Sequence, residues 1–127
     1  MTGLRPISVA IIDDRPASLE LMEAALRRDD LQLHCFADAE LGLEFILDRQ
    51  PQVVLTDIVM PGLSGMELLE RVVEFDPSID VVLMTAFYST ESAVEAIRKG
   101  AADYLDKPIT PHALRTRLAP LLSLIHI

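Results

Sequence analysis

The stretch Val53-Val54-Leu55-Thr56-Asp57-Ile58-Val59-Met60-Pro61-Gly62 decides the fold. Three apolar residues open it, too few for a helix and without helical spacing. A β-branched run closed by a Pro-Gly breaker reads as a strand buried on both faces. Asp57 falls where that strand runs out. In an open parallel sheet, ligands bind in the crevice beyond the carboxyl ends of the strands. A carboxylate at that point either belongs to a site or is badly placed.

Other predicted strands end in a comparable way. Ile7 to Ile12 is followed by Asp13-Asp14, and Val81 to Met84 by Thr85. The short segment Ala102 to Leu105 is followed by Asp106-Lys107-Pro108. If these strands are parallel neighbours, Asp13, Asp14, Asp57, Thr85 and Lys107 converge at one edge of the sheet.

The 127 residues fit one domain, long enough for a core without disulfides or metals to staple it. Half the residues are apolar and only 5% aromatic, so the core is built of Leu, Val, Ile, Ala and Met. The net charge of −9 argues against direct nucleic-acid binding by this segment, and against an anionic membrane surface. Cys35 is the single cysteine, which excludes an intrachain disulfide and fits a reducing compartment. Met1 to Pro6 lacks the apolar centre of a signal peptide, and no apolar run approaches the ~20 residues of a membrane span. The expected location is the cytoplasm.

Taken in order, the first strand ends at Asp13-Asp14, and Pro16 suits the first turn of a helix. Leu19, Met22 and Leu26 form its apolar face; the helix is predicted to end near Arg28, with Arg27 and Arg28 complementing its dipole. Leu31 to Phe36 reads as the second strand. Asp38 is a cap for a helix over Ala39 to Asp48 that turns Leu43, Ile46 and Leu47 inward. After Pro61-Gly62, Ser64 and Glu67 have capping-box spacing for a helix to Phe75 with Met66, Leu69, Val72 and Val73 inward. Asp80 to Met84 is the fourth strand. A helix from Thr90 carries Ala93, Val94, Ala96 and Ile97, and Gly100 serves as its left-handed terminus. A last helix begins near Thr110 and carries Leu114 and Leu118. Five strands alternating with five helices specify an α/β fold with a parallel sheet and right-handed crossovers.

The C-terminus departs from this pattern. Pro120 is expected to break the last helix. The final residues Leu122-Ser123-Leu124-Ile125-His126-Ile127 match what one reading frame of a transposase-end sequencing adapter would encode. The expected boundaries are therefore a domain over 1–121 and a non-native tail over 122–127; the alternative is the ordinary apolar end of the helix. Sequencing the locus with a different library chemistry decides, and persistence of those six codons rejects the tail hypothesis.

Asp13, Asp14 and Asp57 held close together would repel one another, and a hard divalent cation relieves that repulsion. Mg²⁺ takes oxygen ligands, typically one or two carboxylates with waters and a phosphate oxygen. A carboxylate can also be the nucleophile in phosphoryl transfer, forming an aspartyl phosphate. Lys107 supplies a positive charge and Thr85 a hydroxyl to an anion built there, and such positioning carries most phosphoryl transfer. Each residue has a plainer use. Asp13 could cap the first helix, Asp57 could accept backbone bonds in its turn, Thr85 could be an ordinary strand residue and Lys107 a surface lysine. No Gly-rich phosphate loop is present, and His34, His112 and His126 lack metal-ligand spacing.

The pieces Ile12-Asp13-Asp14, Leu55 to Gly62, Met84-Thr85-Ala86 and Asp103 to Pro108, in that order and spacing, resemble the receiver domain of bacterial two-component response regulators. The resemblance covers Ile7 to Leu118. It implies a doubly wound, five-stranded (βα)5 flavodoxin-like sheet in the order 2-1-3-4-5, for which receivers are a standard example, so that order is taken from the family. It implies Asp57 as phosphoacceptor, Mg²⁺ held by Asp13, Asp14, Asp57 and the backbone carbonyl of Val59, and Thr85 and Lys107 on the phosphoryl oxygens. Tyr104 becomes an aromatic switch that turns inward as Thr85 moves to the phosphate, shifting the face made by the fourth helix, fifth strand and last helix. The Lys107–Pro108 bond is expected to be cis.

The implied partners are a histidine kinase or phosphotransfer protein, a second copy on phosphorylation, and a C-terminal output domain. Val59 and Phe87, both apolar and flanking the site, imply slow self-dephosphorylation. No external substrate is turned over. Two rivals remain. A dehalogenase-like Mg²⁺ phosphatase wants Asp-x-Asp after its first strand, whereas the acids here are adjacent. A pure interaction module would not need the intact set Asp14, Asp57, Thr85 and Lys107.

Overall fold

The computed structural model describes residues 5–125. Met1–Leu4, His126 and Ile127 lie outside them, and with them most of the N-terminal segment and the end of the tail. The elements in order are β1 (Ile7–Ile12), α1 (Pro16–Leu26), β2 (Leu31–Phe36), α2 (Ala39–Arg49), β3 (Val53–Asp57), α3 (Gly65–Phe75), β4 (Asp80–Thr85), α4 (Thr90–Arg98), β5 (Asp103–Asp106) and α5 (Pro111–Ile125). All strand pairs are parallel and the sheet order is β2-β1-β3-β4-β5, as expected. The order reverses direction between β1 and β3, which is where such a sheet opens a crevice.

The strand alternation builds a core on each face. Ala10, Ile12, Val54, Val81 and Leu83 pack with α2, α3 and α4. Val9, Ile11, Val53, Leu55, Val82 and Met84 pack with α1 and α5. β3 is buried along its whole length, as its unbroken apolar start requires.

Local chemistry sets the helix starts. Asp38 accepts hydrogen bonds from the Glu40 and Leu41 N–H groups, and Ser64 and Glu67 form the reciprocal capping box. Gly100 has φ +105, the left-handed conformation that ends α4 at little cost. Among the described residues, no helix is long and apolar enough to cross a membrane.

Several sequence expectations are corrected. α1 stops at Leu26, so Arg27 and Arg28 lie beyond its last turn, and Arg28 pairs with Asp30. Leu47 of α2 and Val94 and Ile97 of α4 are exposed, whereas Leu68 of α3, one position from the expected face, is fully buried. α5 does not break at Pro120 but continues to Ile125. Leu114, Leu118 and Leu122 form a buried stripe at four-residue spacing on both sides of the proline. Leu121 and Ile125 are partly buried on the same cluster. An interior proline costs about 3 kcal/mol. Burying one leucine returns roughly 1.5–3 kcal/mol, and with its two partly buried neighbours it outweighs that cost. Any apolar residue at 122 could make this contact, so the packing does not bear on the origin of 122–127.

Candidate functional site

The register stacks the strand ends like a staircase. Ile12 faces Thr56, Asp57 faces Met84 and Thr85 faces Asp106. The residue after each strand, or its last residue, therefore reaches the same edge. Backbone bonds extend the ladder past the strand ends: Ile58 N–H donates to the Met84 carbonyl (3.0 Å) and Lys107 N–H to the Thr85 carbonyl (2.8 Å).

The side chains then meet. The Lys107 ammonium donates to Asp13 Oδ2 at 2.6 Å and to Asp57 Oδ2 at 2.9 Å. Asp13 is fully buried, and Asp57 is only 8% exposed. One carboxylate oxygen from each of Asp13, Asp14 and Asp57 lies within 4.8 Å of the others. Burial disfavours the Lys107 ammonium, but hydrogen bonds and charges from Asp13 and Asp57 outweigh it and raise its pKa above the ordinary lysine value. One ammonium among three carboxylates leaves negative charge and oxygen donors only. That donor set fits a hard divalent cation such as Mg²⁺.

The backbone holds this arrangement tightly. Asp57 Oδ1 accepts from the Val59 N–H at 3.2 Å, and Asp13 Oδ1 from the Arg15 N–H at 2.9 Å. The plainer use of Asp57 in its own turn thus coexists with the Lys107 bridge. Asp13 does not cap α1, whose N-cap is Arg15 and has no side-chain cap bond. α3 begins against the end of β3, where Gly65 N–H donates to the Ile58 carbonyl (2.8 Å). A Cβ at Gly65 would lie 2.3 Å from the Asp57 carbonyl oxygen, so only glycine lets the helix rest there.

Of the predicted residues, Asp13, Asp14, Asp57 and Lys107 come together. Thr85 is buried beside them, but its hydroxyl accepts from the Phe87 N–H at 3.0 Å and makes no hydrogen bond to Asp57. Tyr104 is buried, with its hydroxyl 2.6 Å from Ser92 Oγ. The Val59 and Phe87 side chains are 57% and 74% exposed. The Lys107–Pro108 peptide is cis. Sequence reasoning missed three contributors. Ser92 gave no signal, because its partner lies twelve residues on in another element. Gly65 was readable as the first residue after a capping serine. Thr56, a buried strand residue, donates to the Asp57 carbonyl at 3.0 Å.

A doubly wound parallel sheet with an acidic, lysine-bridged crevice at its switch point defines a flavodoxin-like α/β protein with an oxygen-lined site. The chain belongs to the response regulator receiver domain family, whose family model matches residues 9–119. It is a receiver domain of two-component signalling, homologous to that of the DNA-binding transcriptional regulator NtrC of Escherichia coli K12. Identity there is 36% over 100 residues, covering 79% of this chain and 21% of NtrC. The transcriptional regulatory protein ZraR of Escherichia coli O157:H7 is 32% identical over 121 residues, covering 95% of this chain and 27% of ZraR. The chain thus spans about a quarter of the length of these two curated relatives. A CheY-like response regulator receiver domain protein from Methanospirillum hungatei JF-1 superposes with a TM-score of 0.88 at 27% identity, covering 95% of this chain and 97% of that one. The BeF3-activated DrrB receiver domain gives 0.82 at 28%, covering 93% and 98%.

Lys107→Ala leaves the buried Asp13 and its neighbours without their counter-charge. Removing one partner of a buried pair costs roughly 3–5 kcal/mol, and the partly exposed Lys107 belongs at the lower end. In chelator-treated buffer, urea unfolding of the variant is expected to show this loss. Added Mg²⁺ should then stabilise the variant more than the wild type. An equal Mg²⁺ effect in both proteins contradicts the electrostatic account of the cluster.

Proposed function

We propose that this receiver accepts a phosphoryl group on Asp57 from a histidine kinase or phosphotransfer protein. The observation that carries the reading is the Lys107 ammonium shared between Asp13 and Asp57 at the switch point of the sheet. A carboxylate oxygen of Asp57 attacks phosphorus, and the P–N bond to the donor imidazole breaks. Lys107, already hydrogen-bonded to that carboxylate, is within reach of the new phosphoryl oxygens. Thr85 leaves the Phe87 N–H and donates its hydroxyl to them. Asp13, Asp14, Asp57 and the Val59 carbonyl would hold Mg²⁺, which supplies further charge neutralisation when bound.

Phosphorylation adds charge and acceptor oxygens at a single point. The pull on Thr85 alters the space beside Tyr104, and the face of α4, β5 and α5 shifts its population between two packings. The chain promotes this chemistry on itself and turns over no external substrate. Its location is the cytoplasm, and the phosphorylated form pairs with a second copy. An output domain follows the receiver in the whole protein, in keeping with the greater length of NtrC and ZraR. With a net charge of −9, this segment does not itself bind nucleic acid or an anionic membrane.

Exposed, apolar Val59 and Phe87 offer no polar group to orient an attacking water, so the phosphoryl group decays slowly. Intact mass after incubation with acetyl phosphate and Mg²⁺ tests the reading in wild type, Asp57→Ala and Val59→Asn. The wild type is expected to gain one phosphoryl group, Asp57→Ala none, and Val59→Asn to gain it and lose it faster. A gain retained in Asp57→Ala overturns the site assignment. An unchanged half-life in Val59→Asn overturns the account of slow decay.

A further inference from the structure

Away from the acidic cluster, one polar contact ties α4 to β5. Ser92 Oγ and the Tyr104 hydroxyl lie 2.6 Å apart. Tyr104 is 6% exposed, and its ring packs on Tyr88 with centroids 5.1 Å apart. A buried phenol needs a hydrogen-bond partner, and Ser92 provides it. Ser92 Oγ also lies 2.8 Å from Ser89 Oγ and 3.2 Å from the Ser89 carbonyl oxygen, and either hydroxyl of the Ser92–Tyr104 pair can donate to the other. Ser89 also caps α4, accepting from the Ser92 N–H at 3.1 Å. The turn that starts the helix therefore aims Ser92 at the ring.

Two features make this contact consequential. Ala96 is the only buried residue of α4, while Val94 and Ile97 point to solvent. Beyond Ala96 and the partly buried Ala93 the helix has little apolar anchorage, so a single hydrogen bond is a sizeable part of what fixes its first turn. Thr85, meanwhile, is engaged with the Phe87 N–H. Tyr104 is thus inward while Thr85 still rests on its own loop.

We propose that Ser92 is a positioning residue for Tyr104. Its hydroxyl holds the ring inward while Thr85 still accepts from the Phe87 N–H, and so biases the α4–β5 face toward one packing before any phosphoryl group reaches Asp57. The link to phosphorylation rests on the reading of Asp57 above. A state already formed does not have to be formed on binding, so the bond raises affinity for a phosphoryl mimic.

The test uses the full chain as wild type, Ser92→Ala, Ser92→Thr, Tyr104→Phe and the Ser92→Ala/Tyr104→Phe double variant. Two quantities are read: nuclear Overhauser contacts from the ring at position 104 to α4, and the Kd for beryllofluoride with Mg²⁺. Ser92→Ala is expected to lose the ring contacts and to weaken binding by roughly 2- to 10-fold, the worth of one hydrogen bond. Ser92→Thr should keep both. With Phe at position 104, adding Ser92→Ala should change Kd no further. The proposal is overturned if Ser92→Ala keeps the ring contacts, or if it weakens binding equally in the Tyr104→Phe background. If wild type binds no beryllofluoride but Ser92→Ala still frees the ring, the reading of Asp57 fails and the role of Ser92 stands.

Discussion

The Lys107 ammonium between Asp13 and Asp57 is the interaction on which the site depends. It spans three elements that are distant in sequence: the turn after β1, the end of β3 and the turn after β5. Three carboxylates so close, two of them buried, would be unstable without a counter-charge. The fold supplies one cation, which leaves the cluster short of neutrality. That shortfall is the chemical basis of the site, since it favours a divalent cation and an incoming group whose charge the lysine can share.

The sheet makes the convergence rigid. Parallel pairing of β1, β3, β4 and β5 brings their carboxyl ends to one edge, and the ladder bonds of Ile58 and Lys107 continue past the strands. α3 can press on the Asp57 backbone because Gly65 has no Cβ. The other side of the site is looser. Thr85 leans on a loop N–H, and α4 is anchored by buried Ala96, partly buried Ala93, the Lys99–Glu70 ion pair at its C-terminal end and the Ser92–Tyr104 bond. A stiff carboxylate site beside a loosely anchored helix suits the proposed switch, because the local signal must be large relative to what holds the moving element.

The alternation of strands and helices and the acids at the strand ends were legible in the sequence because they depend on short-range signals, whereas the strand order came from the family resemblance. Apolar runs ended by Asp-Asp, Pro-Gly or Lys-Pro mark strand ends. Capping at Asp38 and Ser64 was readable for the same reason, since a cap and its recipient lie within one turn. The misreadings have physical causes. α4 carries apolar residues at 93, 94, 96 and 97, too many for one face, and only the sheet decides that Ala96 goes in while Val94 and Ile97 go out. Pro120 was read from its local penalty, whereas the burial of Leu122 against the α1 side of the sheet outweighs it. Ser92 depends on which strand lies beneath its helix, and no local pattern carries that information.

The central claim is that the edge acids and Lys107 form one phosphoryl-accepting unit. The most direct measurement is a crystal structure of the chain grown with Mg²⁺ and beryllofluoride. The account predicts beryllium bonded to an Asp57 carboxylate oxygen, Mg²⁺ among Asp13, Asp14 and Asp57, and the Lys107 ammonium on a fluoride. Mg²⁺ bound away from those carboxylates, or an Asp57 carboxylate still hydrogen-bonded to Lys107 with no fluoride complex on it, would contradict the claim.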